Sequence, residues 1–325
     1  MKMNNNWLVV LAIWGFSSLQ TNGQGMVFDQ EAFDKGEAYE MERADFLPDA
    51  FSLKKYTPYV LSQQLSTCVA YSAATALTML NAIIKNEADT KIISTQMLSP
   101  HWIYFRNRDN TDNACKEGLN IDKAMVDILN YGAPYMLMVE YPDFYPYGEV
   151  QLCNYYPPDF EKDLATAVSN KPDEIFRVKS ADEIKAVISK GLPVVIGMNV
   201  PNSFESCIGK SLWTPKITET KLDGYGHAMV VVGYDDKKHG GAFEILNSWG
   251  EEWGNGGYIW VKYSDFKKFF LGGYALYKVK KLGAESPDIS GQEKSVLIDS
   301  DVKLSKDRKK KKSKSVNRWK ELGGK

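Results

Sequence analysis

The apolar pattern of this chain changes period at Pro193, and that change constrains the fold more than any other feature. Before it, apolar residues recur three and four apart: Val69, Ala73, Ala76, Leu77, Leu80 and Ile84 mark one stripe, and Ile121, Ala124, Met125, Ile128 and Leu129 another. That spacing puts side chains on one face of an α-helix. The second stripe predicts a helix over 121–131, with Asn120 as N-cap and Gly132 ending it; a third helix, over 181–190, opens on a Ser180/Glu183 capping box and stops at Gly191. Beyond Pro193 come short runs rich in Val, Ile, Tyr and Phe, at 194–200, 228–234, 243–246, 258–263 and 274–279, separated by hairpin-like loops at 235–241 and 251–257. The expectation is an α+β chain in two lobes, mainly helical first and mainly antiparallel strand second, with a cleft between them. At 325 residues, 44% of them hydrophobic, the chain can bury a substantial core.

The two ends differ from this middle. An apolar run from Trp7 to Phe16 follows a start whose only charge is Lys2; ten residues fall short of the ~20 that cross a bilayer, so residues 1–24 read as a secretory signal peptide rather than a retained anchor. No other segment reads as membrane-spanning. Residues 25–46 form an acidic leader without a sustained apolar period, a short pro-segment in character. The net charge of -1 conceals a tail: residues 303–325 hold eleven Lys or Arg against Asp307 and Glu321. A +9 tail with few apolar residues cannot fold alone, so 281–325 is expected to be a basic, disordered extension, a solubility tail that can also contact polyanions.

Candidate chemistry gathers on a few residues. Cys68 stands at the first turn of the first helix, after Ser66 and Thr67, either of which can cap it. Unpaired N–H groups at a helix start favour a thiolate, although a cysteine so placed in an exported protein is more often disulfide-bonded or simply buried. Of three histidines, His101 lies in an apolar stretch and His239 on a polar turn, whereas His227 opens the most apolar strand. Asn247, 20 residues further on, begins the run Asn247-Ser248-Trp249-Gly250. An imidazole that activates a thiol needs a partner holding its other nitrogen, and a neutral amide suffices; Trp249 would keep water off that bond. An acyl-transfer site also needs oxyanion donors, each worth ~3–4 kcal/mol. The Cys68 N–H is one, and the side chain of Gln63 or Gln64 is the second.

In this order, Gln, Cys, His and Asn resemble the papain family of cysteine peptidases, through residues 63–74 (QQLSTCVAYSAA), 115–132, 226–234 (GHAMVVVGY) and 245–261 (ILNSWGEEWGNGGYIWV). The resemblance spans about residues 47–280. It implies a papain-like fold with a β-barrel-like C-terminal lobe, Cys68 as nucleophile, His227 as base then acid, Asn247 as orienter, a glutamine in the oxyanion hole, and Gly118 and Gly226 lining the substrate cleft. It departs from the family where Ser62 stands six residues before the nucleophile, where Val69 follows it, and where Leu65 replaces a common disulfide cysteine. With that cysteine missing, Cys115 is expected to pair with Cys153, leaving Cys207 free; a Cys153–Cys207 bridge is the alternative. The expected protein is an exported, monomeric cysteine endopeptidase acting on peptides or proteins through a thioester, with no cofactor, no metal and no nucleic-acid partner for the domain. The alternatives are a silent binding protein on the same scaffold, or an exopeptidase or transpeptidase with the same triad. Substrate preference should depend on the pocket beside Gly118 and on residues 269–273, and trimming the leader should raise activity.

Overall fold

The computed structural model describes residues 25–40, 47–63, 65–112, 114–138 and 160–279; the expected signal peptide, the whole of the expected tail, Gln64 and Cys153 lie outside them. In chain order, β1 (Met26–Val27) and α1 (Gln30–Asp34) form an N-terminal segment, and β2 (Ala50–Ser52) leads to the body. The helical lobe holds α2 (Cys68–Lys85), α3 (Thr90–Thr95), α4 (Pro100–Asn107), β3 (Leu119–Asn120), α5 (Ile121–Tyr131) and α6 (Phe160–Ser169). The second lobe holds β4 (Glu174–Val178), α7 (Ala181–Ser189), β5 (Val194–Pro201), α8 (Asn202–Glu205), β6 (Leu212–Trp213), β7 (Gly224–Asp235), β8 (Ala242–Leu246), β9 (Tyr258–Lys262), α9 (Tyr263–Phe269) and β10 (Phe270–Tyr277).

Helix α2 is the axis of the first lobe. Most of its length is buried, against α4, α5 and β7, and it ends where Asn86 takes the left-handed conformation at φ 52°. It is long and apolar enough to cross a membrane, a property the sequence reading passed over; its apolar residues are spent on this protein's own core. Helix α5 has the expected bounds, the Asn120 side chain accepting from Lys123 N at 3.0 Å. In α7 the Ser180 hydroxyl caps Glu183 N at 3.2 Å, while the Glu183 carboxylate reaches one residue further back than a capping box, to Lys179 N.

The second lobe is built on an eight-stranded sheet in the order β4-β10-β5-β7-β8-β9-β6, with β2 also on β7. Its central strand β7 pairs antiparallel with β5, Met198 opposite His227 and Gly197 opposite Ala228, and with β8, Val230 opposite Leu246. His227 and Asn247 are thereby placed at the same end of neighbouring strands. Because α2 packs on β7, its first residue comes to that end as well.

Candidate active site

Cys68 starts α2 with Thr67 in the N-cap position, but neither expected hydroxyl caps the helix: Thr67 makes no side-chain cap bond, and Ser66 is buried with its N–H given to Cys115 O at 3.1 Å. The N–H groups of the first turn are therefore left to the sulfur. Those of Cys68 and Val69 lower the thiol pKa, as does Ala228 N, which donates to Sγ at 3.5 Å. This last bond comes from the residue next to His227 and joins the two lobes at the thiol.

His227 Nε2 lies 2.8 Å from Asn247 Oδ1. The same oxygen accepts Ser248 N–H at 2.8 Å, which fixes the orientation of the amide. Nε2 must then carry a proton, leaving Nδ1 as the basic nitrogen. Asn247 is held in turn by its N–H to Gly257 O at 3.0 Å. Trp249 stacks on the imidazole, with centroids 4.5 Å apart and planes at 28°, and is braced edge-on by Trp253 at 5.3 Å and Phe204 at 5.9 Å. It thus lies over the ring that is bonded to Asn247.

Gln63 is clamped beside this pair. Its N–H donates to Ser248 O and its Oε1 accepts from Ser248 Oγ, both at 2.7 Å, while Nε2 gives one hydrogen to Leu65 O at 3.0 Å. Gln64 lies outside the described residues. Cys68 and Cys207 are free thiols and Cys115 is in a disulfide; its expected partner Cys153 lies outside the described residues. His101 is buried in α4 and His239 is exposed at φ 55°.

Sequence reasoning missed what covers the thiol. Gly25 lies on Cys68 so closely that a Cβ there would come within 2.6 Å of Sγ. Met26 pairs in parallel with Leu119, whose N–H donates to Gly25 O at 3.3 Å; Gly118, expected to offer its backbone, turns the chain at φ 73° just before this contact. Gly226 faces Met26 O, where no Cβ would fit. Met26 and Phe33 are 3% and 2% exposed. Further along, Arg177 N donates to Glu37 O and Tyr39 N to Arg177 O, both at 2.8 Å, so the segment adds to the edge of β4. The Arg177 guanidinium lies against Gly36 and pairs with Asp122 at 2.9 Å. The signal that could have revealed this was the apolar trio Met26-Val27-Phe28 inside an otherwise acidic stretch.

Burial sets the charge state of the pair. Burial pushes the Cys68 thiol from 9.0 to about 12 against the opposing N–H groups, and burial pulls His227 from 6.5 to about 4 against its bond to Asn247. At pH 7 the pair is a neutral thiol and a neutral imidazole. Burial thus disfavours both the thiolate and the imidazolium in this structure.

The sequence profile described as papain family cysteine protease matches residues 50–277. Cysteine protease 1 of Oryza sativa subsp. japonica is 28% identical over 234 residues, 69% of this chain and 42% of its own length. Cathepsin L2 of Homo sapiens is 25% identical over 245 residues, 71% of this chain and 66% of its own. The chain thus spans about two fifths of the rice protein and just under two thirds of the human one. Among solved structures, xylellain, a cysteine protease from Xylella fastidiosa, superposes with TM-score 0.62 at 25% identity, over 75% of this chain and 91% of that one. A digestive procathepsin L2 proteinase from Tenebrio molitor larval midgut does so at 0.59 and 16%, over 78% of each.

Proposed function

The chain belongs to the papain family of cysteine proteases, and from that premise we propose that it is a peptidase in which Cys68, His227 and Asn247 cleave peptide bonds, held latent by its own residues 25–39. The observation that carries the reading is the bond from His227 Nε2 to Asn247 Oδ1 at 2.8 Å, with Cys68 Sγ on the N–H of the adjacent Ala228. In the uncovered site the Cys68 proton passes to His227 Nδ1 and the sulfur attacks the carbonyl carbon. The C–N bond breaks as His227 returns the proton to the leaving amine. Water, deprotonated by His227, then cleaves the thioester to a carboxylic acid and restores the thiol. Asn247 keeps the ring in its tautomer. The Cys68 N–H and the second hydrogen of Gln63 Nε2 are the donors for the oxyanion.

The apolar run from Trp7 to Phe16 and the oxidised state of Cys115 support an exported protein with a Cys115–Cys153 bridge. The boundaries follow: signal 1–24, leader 25–46, peptidase domain 47–280 and basic tail 281–325. The test is cleavage of internally quenched peptides after the leader is removed, beside Cys68→Ala. Turnover that survives the substitution would refute the assignment of the nucleophile, and equal rates before and after trimming would refute latency.

A further inference from the structure

Three turns between α8 and β7 carry side chains that the protein's own core does not use. Residues 207–210, 216–219 and 220–223 each close with a bond from the fourth N–H to the first C=O, at 3.0, 3.0 and 3.1 Å. The centre of such a turn ordinarily holds Gly, Pro, Asn, Asp or Ser. Here the centres hold Ile208, Ile217 and Leu222, which are 71%, 102% and 92% exposed. Each turn also bears one exposed lysine, Lys210, Lys216 or Lys221. The last turn runs straight into β7, which begins at Gly224 and then reaches His227.

The backbone that displays these tips is braced. In the second turn the Glu219 carboxylate folds back to accept Lys216 N at 2.8 Å and also accepts Ser203 Oγ at 2.6 Å. In the third, the Asp223 carboxylate accepts Thr220 N at 2.6 Å and Thr220 Oγ1 at 2.7 Å, and Asn199 of β5 donates to Lys221 O at 3.1 Å. The first turn is tied to the second through Ser203, whose carbonyl accepts from Cys207 Sγ at 3.6 Å while its hydroxyl accepts from Trp213 Nε1 at 3.1 Å. Fixed turns with aliphatic centres hold apolar surface in water at no gain to folding, and such surface marks a place where something else binds.

The formal charges of residues 202–223 cancel, Lys210, Lys216 and Lys221 against Glu205, Glu219 and Asp223. The three carboxylates are engaged as acceptors, Glu205 from the Tyr225 hydroxyl, whereas each lysine carries its ammonium on a long flexible stem. Protein interfaces concentrate Trp, Tyr and Arg at their centres and are poor in Lys, with Leu seldom among the dominant contacts. A phospholipid surface suits the opposite set, since Ile and Leu enter the acyl boundary while lysine stems run back to the phosphates. The +9 run at 303–325 adds the attraction to anionic headgroups that the cancelled charges of the turns lack. We propose that Ile208, Ile217 and Leu222 insert into a phospholipid bilayer and dock the protein on a membrane surface by the edge from which β7 leads to His227. The inference goes beyond the peptidase reading, and its test needs no turnover.

The experiment uses the chain after signal removal, tail included, with vesicles of phosphatidylcholine alone and of phosphatidylcholine with phosphatidylserine. Co-sedimentation is measured at low salt and at high salt, where attraction of the lysine-rich tail is screened and apolar insertion is not. Ile217→Ser combined with Leu222→Ser should weaken partitioning at high salt at least tenfold, and because both side chains are exposed it should leave the thermal melt in place. Adding Ile208→Ser should weaken it further. As a second readout, Ile217→Cys carrying an environment-sensitive fluorophore, mapped by mass to separate it from the buried Cys68 and Cys207, should shift to the blue on vesicles. Partitioning of the double variant within about threefold of wild type, with no shift of the label, would mean that the tail alone adsorbs and would overturn the proposal. So would a wild-type chain that ignores both vesicles but forms a dimer that the double variant dissolves, since the tips would then face a second copy.

Discussion

Putting a carboxylate where Met26 lies should expose the thiol, and the size of the effect follows from comparing two routes to labelling. With the segment in place, a thiol pushed up to about 12 is ionised to only about one part in 10⁵ at pH 7. The alternative route is transient opening. Burying Met26 and Phe33, at 3% and 2% exposure, opposes opening by ~1.5–3 kcal/mol for each side chain, or roughly 10²–10⁴ in population. Opening is therefore the faster route and limits the intact protein. Met26→Asp removes one apolar anchor and makes closure bury a carboxylate, which costs several kcal/mol more, so the segment is expelled. Iodoacetamide labelling of Cys68, followed by mass mapping to separate it from the buried Cys207, should accelerate by about 10²–10⁴. The rate should also change little with pH from about 5 to 8, because opening moves the proton from sulfur to imidazole without taking one from solvent. Rates for the two proteins within threefold of each other would refute the claim that residues 25–33 hold the site shut.

Three further outcomes are expected. His227, held down at about 4 from 6.5, makes the folded protein lose stability as pH falls through that interval, since the unfolded chain takes up a proton that the folded chain does not. Cys68, raised from 9.0 to about 12, makes it lose stability as pH rises through that interval, since the unfolded chain releases a proton that the folded chain keeps. These two groups thus leave a plateau between 6.5 and 9.0, and thermal melts across pH should show a Tm decline on each side of it. Asn247→Ala strips the buried Nε2–H of its acceptor, at about 1–3 kcal/mol, and should lower kcat more than it raises KM in the released enzyme; unchanged kcat would remove Asn247 from its orienting role. Arg177→Met leaves the Asp122 carboxylate, whose side chain is 6% exposed, without its cation. It should cost about 3–5 kcal/mol in chemical unfolding and make residues 36–39 cleavable by added protease, whereas wild-type resistance there would show that the β4 edge does not depend on this pair.

The body of the fold was legible because its local rules agree with one another. The bounds of α5 follow from Asn120 and Gly132, and β5, β7 and β8 sit where the runs of Val, Ile and Phe placed them. The elements whose bounds differ from the sequence pattern share a cause in tertiary pairing. Strand β10 begins at Phe270 rather than 274 because Gly272 and Gly273 pair with β5, although glycines in sequence read as a break. Strand β4 has no apolar alternation to announce it, being partly exposed along its length until Val178, and is stabilised by β10 on one side and by residues 37–39 on the other.

The site divides along the same line. Cys68, His227 and Asn247 could be selected because each is a chemically distinctive residue in or beside a regular element, Cys68 at the start of α2, His227 three residues into β7 and Asn247 just past β8, and pairing of neighbouring strands brings the last two together. The segment that covers them could not be selected in that way. Met26, Phe28 and Phe33 follow no single period, since the first two alternate as in a strand and the third belongs to the short helix α1. Their spacing matches glycines on three strands that begin about 170 residues later, and a reading of local periodicity has no access to a surface that exists only after those strands pair. Gly272, one of the two glycines that weakened the strand reading of residues 270–277, makes room for the rings of Phe28 and Phe33. A sequence feature that looks like a defect in a strand is therefore the one that makes room for the segment packed on it, and its meaning depends on what lies opposite it rather than on what lies beside it.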